Sequence, residues 1–136
     1  MNMDQEKQLM KKILSETKVI AVVGLSDKPY RTSYQIALAM QNAGYKIIPV
    51  NPNVDNVLGE KAYASVLDIK EDFQLTNIFR RPEYLEEIAE EIVQVKAPYV
   101  WMQQGVVNES AYQFLQQHGK EVIMDRCIKV AHSILM

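Results

Sequence analysis

Four arginines, Arg31, Arg80, Arg81 and Arg126, are the residues of this 136-residue chain whose type and placement most suggest chemistry. Each falls in a polar segment that follows a short apolar run, whereas the eleven lysines are scattered. Arginine presents a planar fork of donors that matches phosphate and carboxylate, and it is less costly to desolvate than lysine. Two readings follow. The arginines pair with nearby acids such as Asp27 or Asp125 or face solvent, or they converge on one anion site for a ligand with several phosphates. A second group of residues can join such a site. Gly24 ends the first apolar run and permits a tight turn, Ser26 adds a hydroxyl and Lys28 a charge. A helix starting near Thr32 or Ser33 would offer unpaired N–H groups at its positive end. Taken alone, Gly24 fits an ordinary strand-to-helix turn equally well.

The elements that must hold these residues alternate in type. Val19–Val23, Tyr45–Val50, Leu75–Phe79, Pro98–Met102 and Glu121–Met124 are short apolar runs that read as buried strands. A further short strand over Lys61–Ala64, with a helical turn near Ser65–Ile69, is the least distinct feature. Ile36, Ala39, Met40 and Ala43 recur at helix spacing and stop at Gly44. Pro82 opens a helix with Tyr84, Leu85, Ile88, Ala89, Ile92 and Val93 on its apolar stripe. Asn108 caps a third, and a helix over residues 4–15 precedes the first strand. Strands alternating with helices predict an α/β fold: a doubly wound, mainly parallel sheet of five to six strands with helices on both faces, in a single domain spanning residues 1–136. Such sheets bind ligands beyond the carboxyl ends of their strands, which is where the four arginines fall.

Composition narrows the function. Fifteen Lys and Arg against 17 Asp and Glu give a net charge of −2, which offers no support for a nucleic-acid binder. The longest apolar run, Val19–Leu25, is too short to span a membrane, and no signal-peptide stretch opens the chain. A single cysteine, Cys127, excludes an internal disulfide framework and fits a reducing cytoplasm. With one Cys and two His, a thiolate–imidazole zinc site is not expected. Neither G-x-G-x-x-G nor G-x-x-x-x-G-K-[ST] occurs, and no acid stands at the end of the second strand, where Val50-Asn51-Pro52 is found. That absence weakens a dinucleotide such as NAD and permits a 3′-phosphorylated adenosine. No Ser/His/Asp set has motif spacing. Trp101 reads as a core aromatic, the glutamates between Glu83 and Glu91 as a solvated helix face, and Cys127 as either a buried small residue or a thiol at the ligand edge.

Six segments, in order, resemble the small bacterial CoA-binding proteins, a family similar to the N-terminal CoA-binding domain of the succinyl-CoA synthetase α subunit. They are Val22-Val23-Gly24-Leu25-Ser26 with Lys28-Pro29, Val50-Asn51-Pro52, Gly59-Glu60-Lys61, Phe79-Arg80-Arg81, Trp101-Met102-Gln103 with Gly105, and Met124-Asp125-Arg126-Cys127. The resemblance covers roughly residues 19–127. It implies a Rossmann-like fold that binds coenzyme A or acyl-CoA, with Gly24, Ser26, Lys28 and Arg31 around the pyrophosphate. Val50, Asn51 and Pro52 would lie beside the adenosine, Phe79, Arg80 and Arg81 would supply stacking and charge, and Gln104 and Gly105 would border the ligand. Arg126 completes the expected set. Where relatives often carry Pro before the Ser of the first helix, this chain has Thr32, which is expected to cap that helix. The resemblance implies no catalytic residue: His118 and His132 match no catalytic motif, and the sequence stops short of the ligase domain that accompanies this module in the synthetase. The resulting expectation is a stand-alone cytoplasmic module acting as carrier, sensor or partner subunit. The alternatives are a ligase or transferase component needing a separate catalytic subunit, and a sensor of an NAD-type nucleotide.

Overall fold

A computed structural model describes residues 1–136. Helix α1 (Met3–Glu16) starts at a capping box in which Asn2 and Gln5 exchange side-chain and backbone hydrogen bonds, and it buries Met10, Ile13 and Leu14. The remaining elements are β1 (Val19–Val23), α2 (Thr32–Asn42), β2 (Lys46–Val50), the two-residue strands β3 (Asn56–Val57) and β4 (Glu60–Lys61), β5 (Leu75–Ile78), α3 (Leu85–Ile92), β6 (Tyr99–Met102), α4 (Glu109–Gln117), β7 (Glu121–Met124) and α5 (Ile128–Leu135). Five strands form one parallel sheet in the order β2-β1-β5-β6-β7. This is the doubly wound α/β fold expected from the sequence.

Alternation along the strands builds two cores. Ile20, Val22, Leu75, Tyr99, Trp101 and Ile123 pack with α1, α2 and α5 on one face. Ala21, Val23, Ile78, Val100, Met102 and Val122 pack with α3 and α4 on the other. The expected strand over residues 61–64 is displaced. Glu60–Lys61 pairs antiparallel with Asn56–Val57 across the Leu58–Gly59 turn, and Tyr63 makes only an isolated bridge to Val50. The helix expected from Pro82 opens as a 3₁₀ turn, Pro82–Tyr84, before α3 begins. The helical turn expected near 65–69 is a 3₁₀ turn at Val66–Asp68, and its cap Ser65 accepts from Leu67 N–H.

One feature of the strand order positions the site. From β1 the chain crosses to β2 on one side and returns to β5 on the other, so the loops after β1 and β5 diverge and leave a crevice between them.

Helix α1 is pinned to the sheet by two tyrosines. Tyr45 donates to Leu14 O at 2.7 Å, and Tyr99 donates to Glu16 Oε1 at 2.6 Å. Burial of Tyr99, then its bond to the Glu16 carboxylate, pushes its phenol up to about 12. An unfolded tyrosine titrates near about 10. The folded state therefore holds this proton more tightly. Its contribution to stability is complete below about pH 10 and is lost as pH rises toward about 12. Tyr99→Phe is expected to cost about 1 kcal/mol at neutral pH and to flatten the alkaline fall in stability between those values, as read by denaturant melts across the pH series.

Candidate functional site

Gly24 sits where β1 gives way to the loop, at φ 85°, and its N–H donates to Val50 O at 2.8 Å. Phe79 N–H donates to Val23 O at 2.8 Å, which draws the start of the β5 loop onto the same spot. A Cβ on Gly24 would lie 2.2 Å from Phe79 O and 3.0 Å from Arg80 Cδ. The two loops therefore touch, backbone to backbone, at the floor of the crevice.

Above that floor the first loop is held open by its own polar groups. Ser26 Oγ accepts from Lys28 N–H at 3.0 Å, and Ser26 N–H donates to Ser33 Oγ at 3.1 Å. Asn51 donates from Nδ2 to Leu25 O at 3.0 Å and accepts from Asn53 N–H at 2.9 Å. The N-cap of α2 is Arg31, which supplies no side-chain cap, so the first amides of the helix keep their donors. Thr32, expected as the cap, is instead the first helical residue.

These loops enclose a cleft of about 1140 Å³. This exceeds the about 300–1,000 Å³ of sites for drug-sized ligands and suits a long one. Ten residues named from the sequence line it: Gly24, Ser26, Lys28, Arg31, Asn51, Phe79, Arg80, Arg81, Gln104 and Gly105. Four of its lining residues are cationic and one, Asp27, is acidic. The chain's ion pairs join Lys12 to Glu121, Lys28 to Asp27 at 4.0 Å, Lys46 to Glu71, and Arg126 to Glu6. None involves Arg31, Arg80 or Arg81. The Arg80 guanidinium lies over the Tyr84 ring at 4.6 Å and that of Arg31 lies 6.0 Å from the Tyr30 ring, contacts that leave the donor forks free. Pairing with Asp27 or Asp125 does not occur for these three, since Asp125 accepts instead from Gly105 N–H at 2.8 Å.

Three expected residues lie elsewhere. Arg126 donates from Nε to Glu6 Oε1 at 2.8 Å, so its charge is spent on α1, and it is not among the cleft-lining residues. The cause is local. Asp125, at φ 64°, turns the chain after β7, and the Trp101 indole fixes that turn by donating to Arg126 O at 2.9 Å. Val50 and Pro52 line a separate cavity of about 150 Å³ behind Arg80, with Val50 buried in the α3–α4 core.

Sequence reasoning passed over Gln103 in favour of Gln104. Gln103 is 4% exposed, and its Oε1 accepts from Ile128 N–H at 3.3 Å and from Asn77 Nδ2 at 3.5 Å. Its Nε2 makes no hydrogen bond within the chain, and the residue lines the cleft. The signal was present: the inward alternation Tyr99, Trp101 continues to residue 103. Tyr30, which is 73% exposed at the cleft, and Ile36, Val54 and Val106 were also missed as lining.

Comparison with known proteins decides the family. A family model described as "CoA binding domain" matches residues 18–133. The chain belongs to this CoA-binding domain family. A relative, the uncharacterized protein YneT of Bacillus subtilis (strain 168), is 54% identical over 128 residues, covering 94% of this chain and 95% of that one. An ADP-forming acetate–CoA ligase of Methanocaldococcus jannaschii is 36% identical over 67 residues, 49% of this chain but 10% of the ligase. Among solved structures, a Thermus thermophilus protein superposes with a TM-score of 0.92 at 33% identity, with full coverage of both chains. No helix of this CoA-binding domain is long and apolar enough to cross a membrane.

The glycines test the geometry of the cleft floor. Gly105, at φ 87°, has open space where a Cβ would stand, so Gly105→Ala is expected to cost only the backbone strain, about 1–2 kcal/mol. Gly24→Ala adds a backbone collision and is expected to cost about 2–5 kcal/mol in chemical denaturation.

Proposed function

We propose that the protein binds coenzyme A or an acyl-CoA in this cleft, as a stand-alone cytoplasmic module that carries, senses or presents the ligand and performs no catalysis of its own. The observation that carries the reading is the set of three arginines without carboxylate partners, Arg31, Arg80 and Arg81, facing one cleft beside an uncapped helix N-terminus. Unpaired guanidinium groups repel one another, and a polyphosphorylated ligand removes that repulsion while satisfying their donors. Family membership supports CoA as that ligand. The volume of the cleft suits a nucleotide with a long arm.

In this reading the pyrophosphate lies between the Gly24–Arg31 loop and the Phe79–Arg81 loop, where the α2 amides, Lys28, Arg31 and Arg80 reach it. Asn51 borders the adenosine side, with Val50 and Pro52 behind it. Gln104 and Gly105 border the far end of the ligand. The matched ligase region suggests a second role, as the CoA-holding part of a ligase or transferase completed by another subunit. Turnover of acyl-CoA on adding a partner fraction separates that role from the first.

Isothermal calorimetry with CoA tests the placement. Arg31→Ala and Arg80→Ala are each expected to weaken binding about tenfold to a hundredfold, the worth of a hydrogen bond to a charged group. Arg126→Ala is expected to leave the affinity unchanged, because its charge is engaged by Glu6 outside the cleft. Equal losses for Arg126→Ala and Arg80→Ala contradict the assignment. In thermal shift, CoA is expected to raise Tm and NAD to leave it unmoved; the reverse result makes the protein a sensor of the dinucleotide.

A further inference from the structure

The cavity of about 150 Å³ behind Arg80 lies side by side with the cleft. At the end of β1, Val23 lines the cavity and Gly24 the cleft; at the end of β2, Val50 and Pro52 line the cavity and Asn51 the cleft. Arg80 lines both spaces, so its side chain is the wall between them. Sites for whole small molecules run to about 300–1,000 Å³, so this one holds a single fragment of a larger ligand.

Its lining says which fragment. Val23, Val50 and Ile88 make one side apolar. Arg80 lies over the Tyr84 ring at 4.6 Å, and both line the cavity. Guanidinium planes and aromatic rings are surfaces on which nucleic-acid bases stack. Two acids, Glu87 and Glu91, complete the wall, one turn apart on α3. The sequence reading of the α3 glutamates as a solvated face holds for Glu86 and Glu90, which are exposed, but Glu91 is half-buried. Its carboxylate is anchored: Glu91 Oε1 accepts from Ser65 Oγ, and Ser65 Oγ in turn accepts from Leu67 N–H at 3.1 Å. No cation pairs with Glu87 or Glu91. Unpaired carboxylates repel a phosphate and accept from an amine. The cleft therefore suits the phosphates, and the cavity suits a neutral ring that carries an N–H donor.

We propose that Glu91, held by Ser65, selects adenine as the base of the ligand by accepting a hydrogen bond from its exocyclic amine, with the ring stacked against Arg80 and Tyr84 in this cavity. The inference rests on the CoA-binding reading above and adds a specificity-determining residue to it. Adenine presents a donor at that position, whereas guanine and hypoxanthine present an acceptor oxygen. An anchored carboxylate facing such an oxygen leaves two acceptors opposed with no proton between them. Arg80 then serves the ligand on two sides, its charge toward the phosphates and its plane toward the base.

Calorimetry on the full chain compares CoA with its deaminated counterpart, in which hypoxanthine replaces adenine. The deaminated ligand is expected to bind about tenfold to a hundredfold more weakly, the worth of a hydrogen bond to a charged group. Glu91→Gln, whose amide keeps an acceptor for Ser65 Oγ and gains a donor for the hypoxanthine oxygen, is expected to erase the preference. Ser65→Ala, which releases the carboxylate from its anchor, is expected to narrow it. Glu90→Gln, on the exposed face of α3, is expected to leave it intact. If the unmodified chain binds CoA and the deaminated ligand equally, or Glu91→Gln keeps the full preference, the role of Glu91 falls and the CoA-binding reading stands. If neither ligand binds, both fall.

Discussion

The architecture of the cleft depends on one close approach, that of the Gly24 backbone to the Phe79 carbonyl. Nothing larger than a hydrogen fits on Gly24, because a Cβ there would be 2.2 Å from that oxygen. The contact brings the end of β1 and the end of β5 together at the point where the strand order reverses. Everything that faces the cleft is measured from it. The loop after β1 rises on one side to present Lys28 and Arg31, and the loop after β5 rises on the other to present Arg80 and Arg81. A separation of these loops would move Lys28 and Arg31 relative to Arg80 and Arg81, and with them the geometry available to a phosphate.

Most polar side chains around this floor are occupied in building it. Ser26 and Ser33 shape the first loop, Asn51 ties it to the end of β2, and Asp125 holds Gly105. On the wall beyond, Trp101 and Asn77 fix the turn after β7 and the position of Gln103. Left without partners in the chain at the cleft are the forks of Arg31, Arg80 and Arg81 and the first amides of α2. Charged donors left without carboxylate partners and gathered on one space serve a ligand rather than stability.

The sequence made much of this legible because parallel strands buried on both faces read as uninterrupted apolar runs, and because loops after such strands carry function. The five strands of the sheet and the three arginines of the cleft follow from that rule. Arg126 obeyed the same rule and ended elsewhere. Its fate turns on Glu6, which lies 120 residues away on a helix whose docking against the sheet no local pattern specifies. Val50 lies apart from the cleft for a different reason: as the last residue of its strand it packs into the α3–α4 core, while its neighbour Asn51 lines the cleft, a one-residue difference that parity decides. Gln103 was hidden because a buried glutamine is uncommon and its exposed neighbour Gln104 looked the more natural ligand contact.

Net charge misleads in this protein for a related reason. A chain with 15 cationic and 17 acidic side chains has no field to attract a long polyanion. Yet charge summed over a molecule says little about charge summed over a cleft, because exposed charges more than about 10 Å apart are screened from each other at ordinary salt. The acids lie mainly on helix surfaces such as that of α3, and the cleft keeps four cations with a single carboxylate. The fold gathers those cations on one cleft through loops fixed by hydrogen bonds. An anion with several charges is the one class of ligand that both relieves their mutual repulsion and satisfies their donors, which is why the charge distribution, and not its total, carries the functional reading.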